Sequence, residues 1–219
     1  DRAWRVLLWT AVATGVMLGA IVAFLLPTSG EWLLPGVQAD TMGFVAVLVC
    51  LVPAVIALVP LRVPERARVA TTLGAAVLLT VFGLMTWPTV GGFLIPVAMI
   101  VWAAVITPWR LRRTGGFTLP WRLAGAALVA LPVLAVFAAF FTGAAGLGAI
   151  AVIIIIVILA LAVLIAVGHR VAGWIVAALG GALILGTLLT PGILALAMVW
   201  AGGLLLSVGL GHGLGTRRV

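Results

Sequence analysis

The sequence predicts an all-α protein, a polytopic bundle of eight transmembrane helices arranged as four hairpins with both termini in the cytoplasm. Three observations lead to this prediction: the apolar content, the lengths of the apolar stretches, and the placement of the arginines between them. Of the 219 residues, 66% are hydrophobic and 7% are charged, and the mean hydropathy is +1.44. A single water-soluble core cannot bury so much apolar surface, so we expect lipid to solvate most of the chain.

Eight apolar stretches have the length of a membrane-spanning helix, which needs roughly 20 residues at about 1.5 Å each. The predicted spans are 4–26, 41–61, 69–87, 93–107, 121–142, 148–167, 173–190 and 192–213. They pair into hairpins at about 4–61, 64–107, 121–167 and 173–213, which form one transmembrane domain over residues 1–219. Pro64 and Glu65 suit the first turn of a helix, where proline loses no hydrogen bond and an acid meets the positive end of the helix dipole. The third helix should therefore begin there.

The arginines fix the orientation of these spans. All 12 basic residues are arginines, and every second connection carries them: residues 2 and 5; 62, 66 and 68; 110, 112, 113 and 122; 170; and 217 and 218. The intervening loops contain no basic residue, and the first of them carries Glu31 and Asp40. Because basic residues near span ends are retained on the cytoplasmic side, the basic connections are predicted to face the cytoplasm of a bacterial inner membrane.

The net charge of +8 indicates anionic lipid rather than nucleic acid as the partner, because the arginines fall in small groups between spans and not on one contiguous face. Arg110, Arg112, Arg113 and Arg122 flank a Gly-Gly pair and could hold a lipid phosphate, since a guanidinium makes two parallel hydrogen bonds to phosphate. The alternative is that these charges only set the topology.

Small residues indicate where helices should touch, because close backbone approach replaces the hydrophobic drive that lipid removes. Gly15 and Gly19 form a GxxxG element on the first helix, and Gly173 and Gly181 flank Ala177 at the same spacing on the seventh. We expect seams within the chain, with a homo-oligomer interface as the alternative.

Strongly polar side chains are scarce within the spans. Away from the span ends the polar residues are threonines, Ser207 and Cys50, whose hydroxyl or thiol groups need no catalytic role. His169 and His212 should lie solvated at the cytoplasmic interface; the alternative is pH sensing, because an imidazole gains charge on mild acidification. The sequence therefore predicts no catalytic residue, no cofactor and no metal site.

Pro53, Pro96 and Pro132 lie within apolar spans. Each removes a backbone donor, which kinks a helix and, in transporters, can open a binding site at the midplane. A tolerated kink is the simpler interpretation, because no polar side chain accompanies these prolines.

The last hairpin resembles the repeat unit of the HdeD-like acid-resistance membrane proteins. The residues that carry the resemblance are Trp174, Gly180, Gly181, Gly186, Pro191, Gly192, Gly202, Gly203, Gly209 and Arg217. The second hairpin shares Gly74, Gly83 and Pro88. Members of that family look like three hairpins, whereas four are predicted here. The resemblance implies a small bacterial inner-membrane protein associated with envelope or acid stress, without an assigned catalytic residue.

These observations predict a non-enzymatic integral membrane protein, a structural or accessory component that forms a homo-oligomer or joins a larger membrane complex. A transporter or flippase for a lipid-like or apolar substrate is the main alternative, with the proline-containing helices as a lateral cleft. An intramembrane lipid-modifying enzyme is a third hypothesis, which lacks a carboxylate or base beside a plausible cleft.

Overall fold

A computed structural model of the chain describes residues 2–25, 39–85, 91–114, 116–141, 149–187 and 193–215. Within these ranges it contains eight α-helices and no β-strand. The helices are α1 (Arg2–Leu25), α2 (Ala39–Arg62), α3 (Arg68–Met85), α4 (Gly91–Thr114), α5 (Leu119–Phe141), α6 (Ala149–Val167), α7 (Arg170–Gly186) and α8 (Ile193–Gly215). A 3-10 turn at Glu65–Ala67 leads into α3. The predicted all-helical fold is confirmed.

Most helix ends lie within a few residues of the predicted span ends, but α4 does not. The fourth span was predicted to end at residue 107, whereas α4 continues through Pro108 to Thr114. A proline inside a helix costs the hydrogen bond to the residue four positions back, but it leaves the following turns intact. Arg110, Arg112 and Arg113 therefore lie on the last helical turns rather than in a loop.

The two helices of each predicted hairpin pack against each other. Among the described residues, α7 and α8 share the largest interface, and α1 with α2, α3 with α4 and α5 with α6 also pair extensively. α4 also packs against α1 and α8, and these contacts join the first, second and fourth hairpins. A large core cluster spans these hairpins and includes Leu7, Leu79, Val101 and Val199.

Glycine allows α7 and α8 to approach at backbone contact. A Cβ atom built on Gly173 would lie 2.6 Å from the amide nitrogen of Gly213, and one on Gly180 would lie 2.6 Å from the carbonyl oxygen of Gly202. Gly181 does not take part, because its Cβ position has no atom within 4 Å beyond its own helix and chain neighbours. In an α-helix Gly180 points about 20° from the direction of Gly173, whereas Gly181 points about 80° away. The seam predicted through Gly181 therefore runs through Gly180.

Glycines also allow close approaches between α1 and α2 and between α8 and α4. The Cβ position of Gly15 lies 3.0 Å from the backbone nitrogen of Ala54 on α2, and Gly19 is also buried. The Cβ position of Gly203 on α8 lies 2.8 Å from the Cα of Pro96 on α4. Pro96 therefore packs into a helix interface.

Four helical segments of the described residues are long and apolar enough to cross a membrane: Arg2–Ile21, Glu65–Met85, Leu94–Arg113 and Ala197–Gly215. The other apolar helical segments are shorter: Leu51–Arg62, Leu119–Val133, Ile155–Val167 and Arg170–Gly186. Large apolar side chains lie exposed along α3, α6 and α7, including Leu84, Ile153, Val163 and Val171. Exposed apolar faces on such helices are suited to lipid.

Candidate functional site

Contacts between helix ends gather the arginine-bearing termini at one end of the bundle. Arg68 lies over the ring of Trp4, which joins the starts of α3 and α1. Arg110 lies over Trp121, which joins the end of α4 to the start of α5. Arg122 of α5 donates a hydrogen bond to the carbonyl oxygen of Val167 at the end of α6, and Arg170 of α7 donates one to the carbonyl oxygen of Gly213 near the end of α8. We call this region the basic end.

Arg110 is held between two tryptophans. Its Cζ atom lies 4.7 Å from the ring centroid of Trp109 and 4.2 Å from that of Trp121. A guanidinium over an indole face is stabilised by about 0.5–1 kcal/mol at exposed sites. Arg110 therefore ties α4 to α5, which is a structural role beside the lipid contact predicted for it.

Arg122 binds backbone carbonyls. Its Nε donates to the carbonyl oxygen of Phe117 at 2.9 Å, and a terminal nitrogen donates to that of Val167 at 3.2 Å. The same guanidinium covers Gly168, whose φ of 97° is the left-handed conformation that suits glycine. Arg122 thus caps the end of α6. Arg170 does the same for α8, because its Nε donates to the carbonyl oxygen of Gly213 at 2.8 Å.

Arg112 and Arg113 are exposed and line a cavity of about 630 Å³ between α1, α3 and α4. Charged side chains form its rim: Glu65, Arg66, Arg68, Arg112 and Arg113. Trp4, Trp109, Val69, Ala104 and Val105 supply its apolar walls. We call this the basic cavity. It brings together two of the four predicted headgroup-binding arginines and adds Arg66 and Arg68, which the prediction omitted because they lie in a different connection.

Several contacts shape the basic cavity. Arg68 makes an ion pair with Glu65 at 2.7 Å, and its Cζ lies 5.3 Å from the ring centroid of Trp4. The indole nitrogen of Trp4 donates to the hydroxyl of Thr72 at 3.1 Å. Arg113 lies 5.2 Å from the centroid of Trp109. One wall is therefore fixed by hydrogen bonds and ring contacts, while Arg66 and Arg112 lie exposed beside it.

A second, more open groove of about 650 Å³ runs beside α1 and includes Arg2, Arg5 and Trp9. Its described lining comes from α1 alone, so no second helix among the described residues opposes these arginines.

The two histidines have different surroundings. His169 is exposed and occupies the N-cap position of α7 without a side-chain hydrogen bond to the helix end, in agreement with a solvated position. His212 is only 4% exposed, and its ring lies parallel to that of Phe117 with centroids 6.1 Å apart. The prediction that His212 is solvated is therefore wrong: the loop carrying Phe117 folds over the end of α8.

Three buried hydroxyl groups form hydrogen bonds within their own helices. The hydroxyls of Thr72, Thr187 and Ser207 are buried, and each donates to a carbonyl three or four residues back. Indole nitrogens link helices: Trp102 donates to Thr80 at 3.0 Å, and Trp200 donates to the carbonyl of Gly92 at 2.9 Å. Within the described ranges, no group of three or more metal-ligating side chains lies together.

The remaining predicted positions are dispersed. Pro53 is buried within α2, and Pro132 is half-buried within α5. Asp40 lies in the first turn of α2. Glu31 lies outside the described residues. The prolines predicted to open a cleft do not line the basic cavity, although Pro108 does.

Comparisons with known proteins found no family model, no curated protein and no solved structure that matches the chain.

Proposed function

We propose that the chain is a non-enzymatic structural or accessory protein of a bacterial inner membrane, with eight spans and with the basic end in the cytoplasm. It acts as a homo-oligomer or within a larger membrane complex, in contact with anionic lipids at its cytoplasmic face. The resemblance to HdeD-like proteins favours a role in envelope or acid stress.

The way the interior uses its polar groups carries this proposal. The buried hydroxyls of Thr72, Thr187 and Ser207 bond to their own helices, and the indoles of Trp4 and Trp102 bond to threonines on α3. Such bonds satisfy polar groups in a medium that offers them no water. These groups hold the bundle together, whereas the exposed arginines of the described residues lie at the basic end. This division suits a protein that works through its surfaces.

The transporter alternative has less support. Its predicted cleft depended on Pro53, Pro96 and Pro132, and Pro96 instead packs against Gly203 at backbone distance. The basic cavity lies at one end of α1, α3 and α4. A site that serves both sides of a membrane is usually near the midplane.

Purification of the full chain in a mild detergent tests the proposal. We expect light scattering to give the mass of a defined oligomer, or mass spectrometry to identify a partner that is absent from a parallel preparation of untagged chain. A monodisperse monomer with no partner would contradict the proposed role.

A further inference from the structure

We propose that the basic cavity is a binding site for the phosphate headgroup of an anionic glycerophospholipid, with Arg66, Arg68, Arg112 and Arg113 as its cationic groups. The inference rests on the proposed function, because headgroups reach these residues only if the basic end lies at a membrane surface. It assigns the ligand class to a particular set of side chains.

Charge complementarity is the first argument. Four guanidiniums line the cavity against one carboxylate, Glu65, which leaves three excess positive charges. The starts of α1 and α3 and the end of α4 meet the cavity, and their helix dipoles contribute roughly +0.5, +0.5 and −0.5 charge, a net of about +0.5 that is small beside the guanidinium charges. The arginines therefore determine the potential, and they favour an anion. Guanidinium groups suit phosphate because they donate two parallel hydrogen bonds to it.

The allocation of arginines is the second argument. Arg110 and Arg122 are two of the four arginines predicted to hold a lipid phosphate. Arg110 contacts tryptophan rings, and Arg122 donates to backbone carbonyls. Arg112 and Arg113 are exposed on the last turns of α4, where Arg113 also lies over the ring of Trp109, and Arg66 is exposed on the turn that leads into α3. The exposed cationic groups of the cavity thus come from the end of α4 and from the turn before α3.

The apolar side of the cavity is the third argument, and it favours a lipid over free phosphate. Val69, Ala104 and Val105 line the cavity together with the arginines. Val69 is 60% exposed and begins an exposed apolar face of α3 that continues through Leu73 and Val77. A headgroup among the arginines would leave its acyl chains along this face. Trp4 and Trp109 also line the cavity, and indoles are typical of headgroup depth.

Glu65 supplies a test of opposite sign. Its carboxylate holds Arg68 at 2.7 Å, so it competes with a phosphate for that guanidinium and repels the ligand. Glu65→Gln should strengthen headgroup binding, whereas Arg112→Gln/Arg113→Gln should weaken it. Arg2→Gln/Arg5→Gln removes the same two charges from the same end, but from an open groove formed by α1.

The experiment measures retention of dioleoylphosphatidylglycerol by the full chain in dodecyl maltoside, with dioleoylphosphatidylcholine and inorganic phosphate as competing probes. We expect preference for phosphatidylglycerol over phosphatidylcholine, at least about a tenfold loss of affinity in Arg112→Gln/Arg113→Gln, and less than about a twofold loss in Arg2→Gln/Arg5→Gln, since each basic residue near an anionic headgroup contributes appreciably. Glu65→Gln should raise the affinity severalfold.

Equal losses in the two arginine double variants would overturn the site, because net charge alone would then explain binding. Displacement of the lipid by inorganic phosphate at comparable concentration would overturn the lipid assignment. Light scattering on the same samples separates this inference from the proposed function. If the wild-type chain forms its oligomer or complex but binds the two phospholipids equally, the site is rejected and the structural role stands. If the wild-type chain is a monomer with no partner, the structural role is rejected.

Discussion

At the residue scale, the sequence predicts some of the side chains at the basic end, but the predicted set omits Arg66 and Arg68 and does not show how the arginines divide their tasks. The four arginines at the end of α4 and the start of α5 lie at the basic end, because one short connection joins these two helices: Arg110, Arg112, Arg113 and Arg122. Arg110 and Arg122 bind indoles and carbonyls, whereas Arg112 and Arg113 line the basic cavity, where Arg113 also contacts the ring of Trp109. This division depends on which neighbours the other helices supply. It cannot be inferred from residues that share one stretch of sequence.

The tryptophans illustrate the same point. Trp102 lies near the middle of α4 and packs against the hydrophobic core. Its indole also donates to the hydroxyl of Thr80 on α3 at 3.0 Å. Thr80 bonds to the carbonyl of Ala76 at 2.7 Å, so the hydroxyl links two helices. Helical periodicity places each residue on a face but does not show which residue of another helix it meets.

The bond between Trp102 and Thr80 should contribute measurably to stability. Trp102→Phe and Thr80→Val each remove one partner, and the double variant removes both. We expect a coupling free energy of about 0.6 kcal/mol, and at most about 1.7 kcal/mol, as for other interhelical bonds in membranes. Unfolding of the four proteins in mixed micelles measures this coupling. Strictly additive losses would show that the bond contributes nothing.

At the element scale, helix lengths and pairing are well predicted, whereas the register of contacts is not. The apolar stretches and arginines indicate eight helices, and the helices of each hairpin pack together. α4 is longer than predicted because its final turns are polar and hydropathy cannot distinguish them from a loop. On α7, Gly180 and Gly181 are adjacent but point about 100° apart, and residue spacing alone does not show which of them faces α8.

Glycine substitutions on α7 test this register. Gly180→Ala places a methyl group against the backbone of α8, so we expect the free energy of unfolding to fall by about 1–3 kcal/mol, as in other overpacked interfaces. Gly181→Ala is the matched control, because its Cβ position is open. Alanine suits a helix better than glycine, so this variant should be neutral or more stable by up to about 1 kcal/mol.

Thermal unfolding of both variants in the same detergent supplies the comparison. Equal destabilisation by the two substitutions would contradict the α7–α8 register. Greater destabilisation by Gly181→Ala would place the seam on the face that the sequence pattern indicated.

At the scale of the whole molecule, one physical constraint connects sequence to architecture: a guanidinium is costly to move through hydrocarbon. It predicts that arginine-bearing helix ends share one side of a membrane. In the described residues these ends do meet at one end of the bundle. Four helical segments of the described residues have the length and composition to span a membrane, and the other apolar segments are shorter. The eight-span threading is therefore tested most directly by finding which loops face outward.

Cysteine accessibility in spheroplasts provides that test, in a Cys50→Ala background that leaves the chain without thiols. Thr118→Cys and His169→Cys lie at the basic end, whereas Ser29→Cys and Ala145→Cys lie in predicted outer loops. With a membrane-impermeant maleimide, we expect Ser29→Cys and Ala145→Cys to be labelled directly and the other two only after permeabilisation. Direct labelling of Thr118→Cys, or protection of Ala145→Cys until permeabilisation, would contradict the orientation and the eight-span threading.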